Sequence, residues 1–198
     1  MEHGVKKALV PIADGVEELE AVTIIDVLRR AGARVTVASV DEVQVVASRG
    51  IKLVADVPLS ACADEVFDLI ALPGGMPGAE RLRDCPLLIR LLKEQAAAGR
   101  LYAAICASPV VVLQHHGLLA GRRATAHPAF ASRLDNQEAV AERVVVDGNC
   151  VTSRGPGTAI EFALTLVALL FGSQRAHEVA TAMLALWPQA PSPRAGDE

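Results

Sequence analysis

The sequence predicts an α/β fold in which a mostly parallel sheet is covered by helices on both faces and carries one antiparallel hairpin at an edge. Three observations support this. Short apolar runs, "ARVTVASV" rich in β-branched residues and "FDLIALPGG" ending in a glycine pair, read as core strands. Segments with apolar residues at helical spacing separate them, and strands alternating with helices build parallel sheets. Near the C-terminal end, "AERVVVDGNCVTS" holds two β runs joined through Asp147-Gly148-Asn149, a strong hairpin signal.

Taken in order, residues 5–13 form the first strand. After Gly15, residues 16–31 form a helix whose apolar positions Leu19, Val22, Ile25 and Leu28 recur at helical spacing, and Gly32 stops it. Residues 33–40 are the second strand, and residues 43–56 are shorter β pieces around Arg49-Gly50. Residues 67–75 form a third core strand ending in a glycine pair, 86–98 a helix, 101–105 a fourth strand and 107–115 the helix after Cys106. The hairpin passes through "RGPGT" into helices over 158–171 and 174–186. Residues 1–187 are thus expected to form a single domain, and 188–198, "PQAPSPRAGDE", to be a disordered tail.

Composition narrows the function. With 19 Lys and Arg against 23 Asp and Glu, the net charge of -4 gives no electrostatic reason to expect nucleic acid or anionic membrane as partner. The apolar stretch of "MEHGVKKALVPIADG" is broken by Pro11 and Asp14, too soon for a signal-peptide core. The longest later apolar run contains Glu161 and is about half a membrane span. A soluble cytoplasmic protein is therefore expected. Its four cysteines show no C-x-x-C pair, which argues against a zinc site or a redox couple and for free thiols.

In doubly wound sheets, ligands sit at the carboxyl ends of the strands. "ADGVEELE", "PGGMPG", "CASP" and "SRGPGT" all end there, and only the third carries a nucleophile. A cysteine between strand tip and helix foot gains from the helix dipole, although most unpaired cysteines are simply buried. Carboxylates in a first helical turn usually cap it and face solvent, which suits Glu17 and Glu18. Glu20, beside Leu19 on a helix that must bury one face, needs a partner or a proton. "LPGGMPG" has neither dinucleotide nor P-loop spacing, but its amides can hold an oxyanion. His127 reads as structural from pattern alone, His115-His116 as a helix-end pair, and Arg49 and Arg154 as loop arginines with solvent or salt-bridge roles.

Together, "ALVPIADGVEELEAVTIIDVLRRAGARVTVASV", "DLIALPGG", "AAICASP" and "TSRGPGTAIEFAL" resemble, in collinear order, the ThiJ/PfpI superfamily, specifically the branch of the Parkinsonism-associated protein and its bacterial relative YajL. The resemblance implies a flavodoxin-like α/β/α sandwich, a homodimer and a strained cysteine elbow. It makes Cys106 the nucleophile, Glu20 the protonated carboxyl bonded to its sulfur, and His127 a catalytic neighbour. Gly74, Gly75 and Ala107 match an oxyanion pocket, and Arg49, Ser153 and Arg154 an anion-binding mouth. The implied activity is cofactor-free and metal-free, a glyoxalase or deglycase acting on 2-oxoaldehydes or their adducts on amines and thiols. The alternative is a redox sensor or stress chaperone whose cysteine oxidises to sulfinic acid. This chain has Ala107 where protease-like relatives place a histidine, which argues against a Cys-His dyad, and Ser108 where the branch has glycine.

Overall fold

The computed structural model describes residues 5–187. The expected first four residues of the domain and the expected tail lie outside that range. Seven strands form one sheet in the order β5-β2-β1-β6-β7-β9-β8. They are β1 (Lys7–Ile12), β2 (Arg34–Ser39), β5 (Val57–Pro58), β6 (Leu69–Leu72), β7 (Leu101–Ile105), β8 (Val144–Asp147) and β9 (Cys150–Ser153). All neighbours pair parallel except β8 and β9, the edge hairpin turning through Gly148. The short β pieces expected around Arg49-Gly50 are β3 (Gln44–Val46) and β4 (Lys52–Val54), paired antiparallel in a separate two-stranded sheet.

α1 (Glu18–Arg30), α5 (Ala159–Phe171) and α6 (Ser173–Ala182) share one core with the sheet residues Val10, Ile12, Ala71 and Ile105. α3 (Pro86–Ala97) and the π-helical turn Pro109–Gln114 contribute to a second core that includes Leu9, Ile70, Leu72 and Tyr102. Alternation along each strand produces the two cores: β1 sends Ala8, Val10 and Ile12 to one and Leu9 to the other. Two short helices, α2 (Gly78–Arg83) and α4 (Pro128–Ala131), were not legible as helices in the sequence.

Helix α1 corrects the sequence reading of its face. Leu19 and Val22, part of the expected apolar stripe, are half exposed, at 52% and 49%. The buried face is Glu18, Glu20, Ala21, Ile24, Val27 and Leu28. The helix carries two apolar stripes at the same period, and the one running through Ile24 and Val27 takes the sheet.

Phe162 on α5 is fully buried within the first core. Phe162→Ala is expected to lower stability by about 3–5 kcal/mol through loss of transfer energy and the cavity left behind. Urea unfolding checks this, with a lower midpoint at unchanged slope.

Candidate active site

The site forms where β1, β6, β7 and β9 end. Cys106 follows β7 directly and has φ 67, in the left-handed region that a side chain rarely enters. This is the expected elbow, and both peptide groups of the residue are held: Cys106 N–H donates to Ser153 O (3.0 Å), and Cys106 O accepts from His127 N–H (2.9 Å). The constraint comes from hydrogen bonds to segments far along the chain.

Glu20 lies behind the thiol, fully buried. Its Oε2 accepts from Gly74 N–H at 2.8 Å, and its buried Oε1 has no hydrogen-bond partner among the described residues. Burial pushes this carboxyl up to about 7 against the pull of the Gly74 amide, and the Glu17 charge adds to the rise. Gly74 brings carboxyl and thiol together: a Cβ there would lie 2.6 Å from Cys106 Cβ and 3.0 Å from Glu20 Oε2, so only glycine fits between them.

Burial also pushes the Cys106 thiol up to about 12, and the Glu20 carboxylate adds to it by charge and as acceptor, while the amides of Gly75 and Ala107 pull it down. The helix dipole therefore does not leave a low-pKa thiol while Glu20 is charged. A proton on Glu20 removes the adverse charge and converts the carboxyl from acceptor to donor, so the pair titrates as a unit.

A cleft of about 280 Å³ opens over the sulfur. Cys106, Gly75, Ala107 and His127 line it together with Glu17, Ser48 and Arg49, and Met76, Ala129, Phe130 and Pro156 complete it. His127 caps α4, with Nδ1 accepting from Ala129 N–H at 3.2 Å, so the neutral ring carries its proton on Nε2.

The other expected residues divide. Gly75 and Ala107 line the cleft with Cys106 and their amides favour its thiolate, whereas the Gly74 amide is committed to Glu20. Arg49 borders the cleft. Ser153 and Arg154 do not line it: the Ser153 hydroxyl donates to Arg143 O (2.8 Å) and pairs with Thr158 Oγ1 (2.7 Å), and Arg154 Nη1 reaches Ala141 O at 3.4 Å. His116 Nε2 contacts Arg83 O at 2.9 Å, a structural role. No cluster of three or more His, Cys, Asp or Glu able to hold a metal occurs among the described residues.

Two carboxylates depart from the expected solvated face. Glu17 is the cap, accepting from Glu20 N–H at 2.7 Å, but it also borders the cleft. Glu18 is 5% exposed and accepts from Ser48 Oγ (3.0 Å) and Arg49 N–H (2.8 Å), fixing the loop whose Ser48 and Arg49 line the cleft. Burial opposes its ionisation, but these hydrogen bonds prevail and hold its carboxyl below the usual range. Nothing in the local pattern of a helix start marks a carboxylate that bonds a loop 30 residues away.

The model of the DJ-1/PfpI family matches residues 6–169. Protein DJ-1 homolog B of Arabidopsis thaliana is 51% identical over 183 residues, 92% of this chain, which spans only 42% of that relative's length. The Caenorhabditis elegans protein named glutathione-independent glyoxalase DJR-1.2 is 38% identical over 86% of this chain and 91% of its own length. The solved structure of oxidized DJ-1 from Toxoplasma gondii superposes with TM-score 0.90 at 50% identity, covering 92% of this chain and all of that one.

The Glu20 carboxyl is raised in the folded protein above its ordinary 4.5, so the fold binds its proton more tightly than the unfolded chain. Stability contributed by that proton is complete below about 4.5 and is lost as pH rises through about 7, a change of about 3 kcal/mol. Glu20→Gln, which keeps an acceptor for Gly74, is expected to be more stable than wild type at pH 8 and nearly equal at pH 4.5, measured by denaturant unfolding. By its matching family model, its relatives over most of its length and its fold, the chain belongs to the DJ-1/PfpI family.

Proposed function

We propose that this protein is a cofactor-independent glyoxalase or deglycase that converts methylglyoxal-type 2-oxoaldehydes, free or as adducts on amines and thiols, to 2-hydroxy acids. The observation that carries the reading is the Cys106–Glu20 pair: a thiol on a strained elbow, the Gly75 and Ala107 amides beside it favouring its thiolate, and a buried carboxyl at about 7. The name of the C. elegans relative supports the same chemistry.

The thiolate adds to the aldehyde carbon and forms a C–S bond. The oxyanion is held by the Gly75 and Ala107 amides and takes the proton from Glu20. Glu20, now a carboxylate, removes the hydrogen of the former aldehyde carbon, and the electron pair moves onto the neighbouring carbonyl oxygen to give an enediolate. Return of that proton to the neighbouring carbon, with the proton of the first hydroxyl passing to the adjacent oxygen, gives a thioester of the 2-hydroxy acid. Water adds, the C–S bond breaks, and the acid leaves with Cys106 and Glu20 restored. Methylglyoxal and one water become lactate, with no net oxidation. His127 Nε2–H serves as a donor in the cleft.

A homodimer is part of this reading, supported by exposed Leu19 and Val22 on α1 and Ile51 and Val54 at the β3–β4 hairpin. Operation in a reducing cytoplasm fits four unpaired cysteines and the lack, among the described residues, of a helix long and apolar enough to cross a membrane. The second reading, a redox sensor or stress chaperone, draws on the same thiol and on the Toxoplasma relative having been solved in an oxidized form.

Purified wild type is expected to consume methylglyoxal and release lactate. Cys106→Ser should fall to background and Glu20→Gln at least about a hundredfold. Lactate formation by wild type no faster than by Cys106→Ser would overturn the enzyme reading. Mass spectrometry after mild peroxide then decides the second reading: two added oxygens on Cys106 before the other thiols support it, and equal oxidation of all four cysteines removes it.

A further inference from the structure

The oxyanion pocket has two halves from different parts of the chain. The Ala107 amide belongs to the elbow, and the Gly75 amide to the loop after β6. That loop is tied to α1, because Gly74 N–H donates to Glu20 Oε2 (2.8 Å) and Gly74 O accepts from Glu17 N–H (2.9 Å). It is tied to the elbow by Ser108, whose hydroxyl donates to Pro73 O at 2.6 Å. Ser108 is fully buried and Pro73 is buried too, so neither has water as a substitute partner.

We propose that Ser108 is a positioning residue for the proposed reaction: its hydroxyl fixes the loop 73–75 against the elbow, so that the Gly75 and Ala107 amides converge on one oxyanion. Two hydrogen-bonded residues separate the reacting groups from this contact: Ser108 is two after Cys106, and Pro73 is two before Gly75. The hydroxyl does not enter the cleft and is not in contact with the sulfur's open side. Its removal leaves the Pro73 carbonyl buried without a partner and frees the loop to shift relative to the elbow. The substrate's ground state keeps its cleft walls, whereas the charge that develops on addition loses part of its support.

The proposal rests on the glyoxalase reading for its kinetic arm only. Ser108→Ala is expected to lower kcat for methylglyoxal by about tenfold with KM changed less than twofold, the signature of an interaction made in the transition state. A second arm needs no catalysis. The rate of Cys106 alkylation by iodoacetamide, followed by mass spectrometry across pH, should have its midpoint moved up by about one unit in Ser108→Ala, the equivalent of one amide hydrogen bond to the thiolate. Ser108→Thr, which keeps the hydroxyl, should recover the wild-type midpoint. If Thr does not fit the packed site, Ser108→Gly should give the same displaced midpoint as Ala. A Ser108→Ala protein with a lower melting temperature but an unchanged alkylation midpoint would overturn the proposal, leaving Ser108 a purely structural contact. If wild type forms no lactate beyond Cys106→Ser, the glyoxalase reading fails, and the alkylation midpoint alone still decides for or against Ser108.

Discussion

The Glu20 carboxyl, buried and held by a single amide, is the group around which the rest of the site is arranged. Three influences favour its charged form: the Gly74 N–H, the Cys106 thiol as donor and the N-terminal end of α1. Burial and the neighbouring Glu17 oppose them and win, because a carboxylate removed from water has lost more hydration than these contacts return. The protein meets that cost with a proton, and a proton on Glu20 is what a neighbouring thiolate requires. The choice of glycine at 74 follows, since any Cβ would separate the two groups.

The elbow has a similar logic of constraint. A left-handed cysteine carries strain of order 1–3 kcal/mol and persists only where its surroundings over-determine it. Ser153 O and His127 N–H fix the two peptide groups of Cys106 from β9 and from the start of α4. The Ser153 hydroxyl is in turn engaged with Arg143 O and Thr158 Oγ1. The "TSRGPGT" segment therefore acts from below, holding the backbone that holds the nucleophile. This accounts for the place of Ser153 and Arg154 in the site without a role for their side chains in the cleft, which Pro156 alone of this segment borders.

What the sequence made legible follows from the range of each interaction. Core strands were readable because burial on both faces imposes an uninterrupted apolar run, and the edge hairpin because Asp147-Gly148-Asn149 suits its turn. Cys106 stood out by position, and Glu20 by the need of a carboxyl on a helix packed to a sheet. The face of α1 was misread because Leu19 and Val22 satisfy the same period as Ile24 and Val27, and only the packed structure decides between stripes. Glu18 escaped because its partners, Ser48 and Arg49, lie across a loop. Ser108 stood out as a departure from the branch's glycine, but its partner, a backbone carbonyl 35 residues away, is one that no residue type advertises.

The pairing also resolves the tension between a thiol raised to about 12 and a role as nucleophile. That value belongs to a sulfur facing a carboxylate. With one proton shared between the two groups, the thiolate and the carboxylic acid form together by its transfer, and no charge is added to the buried site. The two forms then differ by where the charge sits, and the Gly75 and Ala107 amides favour it on sulfur while the Gly74 amide favours it on Glu20. An acid at about 7 can both give a proton to a nascent oxyanion and recover one from carbon at neutral pH, since neither direction is strongly uphill. The same balance fails if Glu20 is moved to solvent, where it would be a carboxylate throughout and the sulfur would lose its donor. Burial of this one side chain, costly for the fold at neutral pH, is therefore what gives the cysteine a usable charge.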